Sequence, residues 1–488
     1  MPSAATAQPL ATPETAPAVE AAGPTMQLAE FVAGVRGAGV PDAVRAVLQD
    51  AVVDAVGCGL FGLTQPACSI VQAYALEQGG PPEATLWASG GAKVSVGHVA
   101  LAAGTAIHGF DFDDHHRSKI HAGAAVLPVV LALGEREDID GPTFLAALAA
   151  GYETMARVSL SANPNAARMR GWHLTGTTGT FGAAAAASVI LGFDASTTAS
   201  ALGLAGTQSA GLWAFNSDGA MSKRLHPGRA AESGVLAAAL AGRGFQGPRF
   251  ILEAEDGGFL AAMSDASRPG EAGRALGREW RAEGVCFKPY ACCGSNHASV
   301  DATIELMAEH DFSAADVARV KVGISRVVER QTGFPYKQST VLNAQMSIRY
   351  NVAVALLDGT ALVEQFTPQR IAAADVNELT SRVDVEVDAD MDAVYPERYA
   401  GIVTITLKDG REVRKRVDFS RGMPENRIPP EAMRQKFLSL AGGAVGSDAA
   451  TELLERLSGI FDCDSIAAQS RALGALRLLE RRPDQMLD

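Results

Sequence analysis

The sequence is poor in cysteine, in aromatic residues and in charge. Six of its 488 residues are cysteine, 6% are aromatic and 20% are charged. No two cysteines form a C-x-x-C pair, and their spacing matches no common zinc site. A scaffold held together by disulfides is therefore excluded. Without a secretory signal, we expect reduced thiols in the cytoplasm.

The sequence also lacks an apolar run long enough to cross a membrane. The longest apolar stretches, residues 122–134 and 182–193, are shorter than the roughly 18 to 20 residues that span a bilayer. Residues 1–25 are rich in Ala, Pro and Thr and contain no Lys or Arg, so we predict a disordered tail rather than a signal or transit peptide. The sequence therefore predicts a cytoplasmic protein with no membrane contact.

The sequence has fewer basic residues than acidic residues. The chain has 42 Lys and Arg against 55 Asp and Glu, which gives a formal net charge of −13. Nucleic-acid-binding proteins are usually basic, so that class is disfavoured. The hydrophobic content of 47% excludes global disorder, and the length is enough for about two to four domains with a large core. A small-molecule enzyme is the leading class.

The pattern of the sequence changes along the chain. Residues 26–268 are mostly helical in pattern, with apolar residues at three- and four-residue spacing. Residues 269–428 mix helices with alternating segments that predict strands, and residues 429–488 return to helix. The predicted strands are residues 317–324, 382–387, 402–407 and 413–417. An Asp-Gly pair between the last two is typical of a hairpin. The fold class predicted is mainly α with an α+β part.

The densest group of titratable residues is the segment 108–121, HGFDFDDHHRSKIH. If the helix predicted from Val96 continues through this segment, His108, Asp111 and His115 lie on one helix face. One alternative is a solvated helix end whose imidazoles pair with neighbouring carboxylates. Another is a metal site from the same residues, although no H-E-x-x-H motif supports it.

Two further segments carry polar groups that fit an anionic substrate. In residues 171–186, His173 precedes a Thr/Gly loop that leads into an Ala-rich helix, predicted from Thr178, so backbone N–H groups and hydroxyls could receive a carboxylate. An ordinary helix entry explains the same pattern. Residues 218–234 hold a cationic cluster, for which a solvated helix face is the simpler explanation. The cluster consists of Lys223, Arg224, His226 and Arg229.

The fourth segment, residues 286–302, places Lys288, Tyr290 and His297 around a Pro/Cys/Gly turn before a helix. Its two adjacent cysteines could include a reactive thiol, but packing residues are the better interpretation. The chain has no G-x-S-x-G motif, so a serine hydrolase is unsupported.

Five motifs occur together in the order found in the MmgE/PrpD family, which the chain resembles from about residue 27 to residue 473. They are GFDFDD, GWHLTGTTGTFGAAAA, DGAMSKRLHPGRAAESGVLAA, KPYACCGSNHASVDA and NAQMSIRYNVAVALLDG. The family includes 2-methylcitrate dehydratases, cis-aconitate decarboxylases and iminodisuccinate epimerases. The resemblance implies a large all-helical domain with a smaller inserted α+β lid domain, a homodimer, and a site between the domains that uses no metal or organic cofactor.

The resemblance also implies the site residues. Those with catalytic roles are Asp111, His121, His173, Lys223, His297 and Tyr350. Beyond what the resemblance implies, we predict five neighbouring residues that contact substrate: His115, Thr175, Arg224, His226 and Lys288. The chain departs from the family pattern at His115, where relatives often have Thr, at Ala122, where Pro usually follows the histidine, and at Arg349, where a small or amide residue is usual. We expect the extra imidazole to affect substrate choice.

The substrates implied are small polycarboxylates, and the shared chemistry is a carbanion next to a carboxylate. Such a species needs electrostatic stabilisation and proton donors with near-neutral pKa values. We expect Lys223 to hold a carboxylate, His121 and His173 to exchange protons, and Asp111 to orient an imidazole. Dehydration of a 2-methylcitrate-like substrate ranks first, decarboxylation of the cis-aconitate type second and epimerisation third. A non-enzymatic carboxylate-binding protein is a further alternative.

Overall fold

The computed structural model describes residues 22–480 and is mainly helical. Most of the predicted tail, residues 1–25, lies outside the described residues, as do residues 481–488. The last four tail residues are described, and the first helix begins among them, at Pro24.

The helices contain 5 to 21 residues each. They are α1 Pro24–Ala38, α2 Asp42–Gly62, α3 Pro66–Gln78, α4 Val96–Ile107, α5 Ala122–Glu137, α6 Gly141–Ser161, α7 Pro164–Met169, α8 Leu174–Ile190, α9 Ala195–Gly206, α10 Ser222–Ala241, α11 Phe259–Met263, α12 His297–His310, α13 Arg326–Thr332, α14 Val341–Met346, α15 Ile348–Asp358, α16 Pro368–Ala372, α17 Ala374–Thr380, α18 Ala389–Ala393, α19 Pro430–Val445, α20 Ser447–Ser458 and α21 Ile466–Ala475. The strands are β1 Ala84–Thr85, β2 Lys93–Val94, β3 His115–His116, β4 Val285–Cys286, β5 Val317–Ile324, β6 Val383–Val387, β7 Gly401–Leu407 and β8 Glu412–Val417.

The larger apolar core is helical and is built around α8, all of whose residues are buried. Helices α5, α6, α9 and α10 surround α8, and its small Ala and Gly side chains let these neighbours approach closely. The same closeness holds where α10 crosses α4, since a Cβ added at Gly228 would lie 2.2 Å from the carbonyl oxygen of Leu101. This crossing brings the start of α10, with its cationic residues, to the end of α4.

The second core lies beneath a four-stranded sheet of order β6-β5-β7-β8. Strand β5 pairs parallel with β6 and antiparallel with β7, and β7 pairs antiparallel with β8. Helices α12 and α15 cover one face through apolar residues such as Ala302 and Val352. The four predicted strands, the hairpin and the mainly α fold with an α+β part are confirmed. The domain boundaries stay predictions, and within the predicted α+β segment the residues Ala272, Trp280, Ala282, Val285 and Phe287 pack in the helical core.

Two predicted helix limits around the polar segments are wrong. Helix α4 ends at Ile107, because Gly109 follows and Asp111 adopts a left-handed φ of +56°. The predicted helical face of His108, Asp111 and His115 therefore does not form, and His115 lies in β3, paired with β4. Helix α8 begins at Leu174 rather than near residue 178, so the Thr/Gly stretch is helical and not a loop.

No helix within residues 22–480 is by itself long and apolar enough to span a bilayer. Helices α2 and α3 meet the length and composition criteria only together, and they are bent by 89° relative to each other. They meet around Leu63, which is buried.

A fully buried ion pair inside α6 ties the helical core to the segment that leads into the α+β part. Arg157 Nε lies 2.5 Å from Glu153 Oε1. The guanidinium also donates to the carbonyl oxygens of Glu271, Ala272, Arg274 and Glu279. We expect Arg157→Met to lower the free energy of unfolding by about 3–5 kcal/mol, because it leaves the Glu153 carboxylate buried without its partner. Urea unfolding followed by circular dichroism measures this change.

The matched control is Arg229→Met. Arg229 is exposed and pairs with Glu232 on α10 at a spacing of three residues. Removing an exposed pair of this kind costs about 0–1 kcal/mol. Equal urea midpoints for the two variants would contradict the role given to Arg157.

Candidate active site

A polar cleft lies where residues of the helical core meet residues of the α+β part. Its lining residues come from both parts of the chain and include four histidines. They are Asp111, His115, His116, Lys119, His121, His173, Trp213, Lys223, Cys293, Gly294, Ser295, Gln331, Met346 and Tyr399. Of the eleven residues assigned from the sequence, five line this cleft: Asp111, His115, His121, His173 and Lys223.

Asp111 is the centre of a buried charge cluster in the cleft. Lys288 Nζ donates to the Asp111 backbone oxygen at 2.7 Å and to Oδ1 at 2.5 Å, and Lys223 Nζ lies 2.9 Å from Oδ2. Burial opposes ionisation of this carboxyl, but the charges of Lys223 and Lys288 outweigh burial and hold its pKa well below the usual value. Burial lowers the pKa of Lys223 to about 8. An ammonium that titrates near neutral pH therefore stands in the cleft.

Asp113 joins two imidazoles beside this cluster. Its carboxylate lies 2.9 Å from Nδ1 of His108 and 3.3 Å from Nδ1 of His121, and His121 Nδ1 also donates to the Asp114 carbonyl oxygen at 2.9 Å. Burial lowers the pKa of both imidazoles, so they are neutral with the proton on Nδ1. The Nε2 atom of His108 then accepts from Lys223 Nζ at 3.1 Å. The role of orienting imidazoles, expected for Asp111, belongs to Asp113.

His173 ends the turn before α8 and pairs with a second imidazole. Its Nδ1 lies 2.8 Å from Nδ1 of His226, so one ring donates to the other. The rings of Trp213 and Phe215 pack edge-on at 5.5 Å from the His173 ring. Burial lowers the pKa of His173 well below its usual value and that of His226 to about 4. Both rings are therefore neutral near pH 7. A single proton lies between the two Nδ1 atoms, and the accepting ring carries its own proton on Nε2.

Three of the other assigned residues support the cleft without lining it. Thr175 accepts the backbone N–H of His121 at 3.2 Å, which fixes the start of α5. Arg224 is buried and donates to the side chain of Gln345 at 2.7 Å. His297 lies behind the cleft wall, with its ring 6.1 Å from that of His115. Burial lowers its pKa to about 3.

Tyr350 is the assigned residue that the structure does not bring to the cleft. It is completely buried on α15, and its hydroxyl donates to the carbonyl oxygen of Gln365 at 2.5 Å. Its ring packs against Tyr336 at 5.3 Å and Phe366 at 5.7 Å. In this position Tyr350 stabilises the core of the α+β part.

His115, which departs from the family pattern, is accommodated by a glycine. A Cβ added at Gly294 would lie 3.0 Å from the His115 ring, so only glycine leaves the imidazole free of a close contact. Burial, reinforced by the charge of Lys288, holds the pKa of His115 well below its usual value. The imidazole therefore adds a neutral hydrogen-bonding group to the cleft wall.

The two adjacent cysteines have different places in the structure, since Cys292 packs in the core and Cys293 lines the cleft. All six cysteines are free thiols. Cys292 is completely buried, and burial raises its pKa well above the usual value, which disfavours a reactive thiolate. Cys293 is half-buried and lines the cleft.

A lysine from the C-terminal part of the chain holds two cleft loops in place. Lys436 on α19 donates to the carbonyl oxygens of Phe112 at 2.7 Å and of Lys288 at 3.0 Å. Its Nζ also lies 2.6 Å from the buried Asp54 and 4.0 Å from the centre of the Phe112 ring. The backbone next to Asp111 and the backbone of Lys288 are thus both held by one ammonium group.

Four donor groups in the cleft cluster closely enough to be tested as a metal site. Their ligand atoms lie within 4.8 Å of one another, and the residues are His108, Asp111, Asp113 and His121. Nitrogen and carboxylate donors suit several divalent metals. However, the ammonium groups of Lys223 and Lys288 already pair with Asp111, so a divalent cation would stand beside two positive charges. The cluster fits an anion better than a metal ion.

Sequence reasoning left several polar residues of this region unassigned, three of which are His108, Asp113 and Lys119. His108 and Asp113 were not assigned, although the alternation Phe110-Asp111-Phe112-Asp113 gives a signal: both Phe side chains join an apolar cluster, and both Asp side chains face lysine or histidine. The third is Lys119. No motif identifies it, because a turn in the fold brings it to the cleft.

The comparisons with known proteins agree with this architecture. Residues 26–272 match the MmgE/PrpD N-terminal domain, and residues 290–458 match the MmgE/PrpD C-terminal domain. The chain therefore belongs to the MmgE/PrpD family, as the sequence motifs predict.

Three curated relatives of this chain are named as cis-aconitate decarboxylases or as similar to them. The chain is 28% identical over 449 residues to a cis-aconitate decarboxylase-like protein of Aspergillus oryzae, which covers 87% of this chain and 92% of that protein. It is 28% identical over 462 residues to the cis-aconitate decarboxylase of Homo sapiens, covering 92% and 94%. It is 26% identical over 460 residues to the cis-aconitate decarboxylase of Aspergillus terreus, and the match covers 90% of this chain and 93% of that protein.

Proposed function

We propose that this chain is a lyase that decarboxylates a small unsaturated tricarboxylate of the cis-aconitate type. The names of its relatives support decarboxylation over the dehydration of a 2-methylcitrate-like substrate, which ranks first from sequence alone, and they give no support to epimerisation. The observation that carries the proposal is the buried ammonium of Lys223, whose pKa of about 8 suits a proton donor, among neutral imidazoles.

The chemistry of cis-aconitate defines what the cleft must do. The bond between the methylene carbon and its carboxylate breaks, and its electron pair forms a new carbon–carbon double bond as carbon dioxide leaves. The original double bond shifts its electrons to the carbon next to the terminal carboxylate. That carbanion must be stabilised by positive charge and then take up one proton, which gives itaconate.

Lys223 has a free N–H group for this task. An ammonium has three N–H donors, and the partners of two of them are Asp111 and His108. The third can reach a ligand in the cleft, where Lys223 stabilises the developing negative charge and donates the proton. Lys288 and Arg224, buried behind it, keep the local potential positive in a chain whose formal net charge is −13.

His121 complements Lys223 from the other side of the charge cluster. Its Nδ1 proton is held by Asp114 and Asp113, so Nε2 is available as an acceptor. A bound carboxylate raises the pKa of a nearby imidazole, because it stabilises the protonated form. We therefore assign His121 to take up a proton when substrate binds and to hold a substrate carboxylate.

A direct assay tests the proposed activity. Purified protein is incubated in parallel with cis-aconitate, 2-methylcitrate and iminodisuccinate. We expect carbon dioxide release and itaconate formation with cis-aconitate, measured by a coupled assay and by chromatography. Alkene formation from 2-methylcitrate without release of carbon dioxide would replace the proposal by the dehydratase. Turnover of none of the three would contradict it and favour a carboxylate-binding protein.

The remaining expectations about partners stay proposals that the same preparation can test. A small polycarboxylate is the proposed ligand, and a homodimer is the proposed assembly. Light scattering of the purified chain measures the assembly directly, and a mass of one chain of 50.7 kDa would contradict the dimer.

A further inference from the structure

Lys119 is a cleft residue to which neither the motifs nor the mechanism assigns a role. It lies in the turn between β3 and α5, where its backbone N–H donates to the His116 carbonyl oxygen at 2.8 Å and its φ is +63°. Lysine rarely adopts a left-handed φ, so the surrounding turn must impose this conformation. Ser159 fixes that turn, because its hydroxyl donates to the Ser118 carbonyl oxygen at 2.6 Å. The turn aims the side chain of Lys119 at the cleft.

The ammonium of Lys119 contacts only neutral groups. Its Nζ bonds to the hydroxyl of Tyr395, lies 3.4 Å from Gln331 Oε1, and stands 4.9 Å and 5.2 Å from the ring centres of Tyr395 and Tyr399. Within residues 22–480, no carboxylate forms an ion pair with it, whereas Lys223 and Lys288 both pair with Asp111. When protonated, Lys119 is therefore a cleft cation whose charge no acidic side chain within the described residues balances.

The two cleft lysines occupy different parts of the cavity. The contacts of Lys223 are Asp111 and His108, and those of Lys119 are Gln331 and the two tyrosines, so the sets share no member. Both ammonium groups nevertheless line one cleft. A ligand with two anionic groups separated by a carbon chain can place one group at each ammonium.

We propose that Lys119 binds a carboxylate of the substrate that is remote from the reacting carbon at Lys223, and so selects polycarboxylates over monocarboxylates. This inference rests on the proposed function for the identity of the substrate, but the binding role itself does not require turnover. The aromatic rings of Tyr395 and Tyr399 hold the ammonium through cation–π contacts in the absence of ligand. When a substrate carboxylate binds, a buried ion pair between this carboxylate and the Lys119 ammonium replaces these weak contacts with neutral groups.

Calorimetric binding of tricarballylate tests the role without any reaction. This saturated tricarboxylate has no double bond to accept the electron pair of decarboxylation. We expect Lys119→Met to weaken its binding about ten- to a hundredfold, the loss of one charge-assisted hydrogen bond, and Lys119→Arg to stay within about threefold of wild type. Binding of butyrate, a monocarboxylate, should change little in Lys119→Met. Methionine is an unbranched side chain only one heavy atom shorter than lysine, and it has the same backbone requirement at the left-handed position.

Arg117→Met is the matched control, since Arg117 is a nearby cation of the same loop that pairs with Glu425 instead of facing the cleft. It should leave tricarballylate binding unchanged. Unchanged binding in Lys119→Met, with a normal circular dichroism spectrum, would overturn the proposal. So would an equal loss in Arg117→Met, because that result indicates a general charge effect.

Kinetics separate this inference from the proposed function. If the chain decarboxylates cis-aconitate, Lys119→Met should raise KM about ten- to a hundredfold and change kcat by less than about threefold. If wild type binds tricarballylate but turns over no cis-aconitate, the proposed function fails while the Lys119 subsite stands. An unchanged KM together with a large loss of kcat would overturn the binding role and make Lys119 a group that acts in the reaction step.

Discussion

Replacing Lys223 by methionine is expected to lower kcat for cis-aconitate by about 10³-fold. The variant loses both the proposed proton donor and the positive charge proposed to stabilise the carbanion, and each effect alone is worth about 10²-fold or more. The measurement is carbon dioxide release at saturating substrate. A variant that keeps a tenth or more of wild-type kcat would remove Lys223 from the mechanism.

Lys223→Arg separates charge from proton transfer. A guanidinium stays charged and donates no proton near neutral pH, so tricarballylate should still bind while kcat stays low. Because Asp111 remains paired, this variant also controls for loss of folding around a buried carboxylate. If Lys223→Arg restored kcat to within about threefold of wild type, the role of Lys223 would be electrostatic only.

The pH profile follows from the pKa of Lys223, which is about 8. An ammonium is charged below its pKa, so the donor is present below pH 8 and is lost above it. We expect kcat/KM to fall as pH rises through about 8 and this fall to vanish in Lys223→Arg. Burial lowers the pKa of Lys119 to about 7, so its titration would overlap with that of Lys223. The profile is therefore best measured with Lys119→Arg as the parent, because arginine does not titrate in this range.

His121→Asn is expected to lower kcat by about 10²-fold. Asparagine keeps an N–H donor in the Nδ1 position, facing the Asp114 carbonyl oxygen, and removes Nε2. Proton uptake on tricarballylate binding at pH 7, measured by calorimetry in buffers of different ionisation enthalpy, should also decrease. His98→Asn is the control, since His98 Nδ1 contacts the Gly79 carbonyl oxygen outside the cleft. Undiminished proton uptake in His121→Asn would assign the uptake to another group.

The sequence predicted those parts of the fold that depend on local pattern. Alternation identified the strands of the sheet, and the Asp-Gly pair identified the hairpin between β7 and β8. The predicted end of α4 was wrong, because the apolar-polar pattern continues past Ile107, whereas Gly109 and the left-handed Asp111 end the helix.

The site could be predicted as a set of residues but not as a set of contacts. The family motifs contain Asp111, His173 and Lys223, and His121 lies in the titratable segment 108–121. Partner choice was not predictable, because it depends on how α10 crosses α4 and on residues far apart in the chain. Lys119 lies in the titratable segment 108–121, but its contacts could not be predicted, since they depend on one turn and on tyrosines about 280 residues later.

The contact of Lys436 with the carbonyl oxygens of Phe112 and Lys288 has a consequence for synthesis on the ribosome. The chain is made from its N-terminus, and every cleft-lining residue has been added by residue 399. The Lys436 ammonium, which joins the two loops, is added only with α19. When this helix docks, the ammonium loses its contact with water and pairs with Asp54. A nascent chain halted before Pro430 would contain all the groups assigned to the chemistry and still lack the clamp that aligns them. Alignment of these two loops by Lys436 would thus be completed only after α19 has been added.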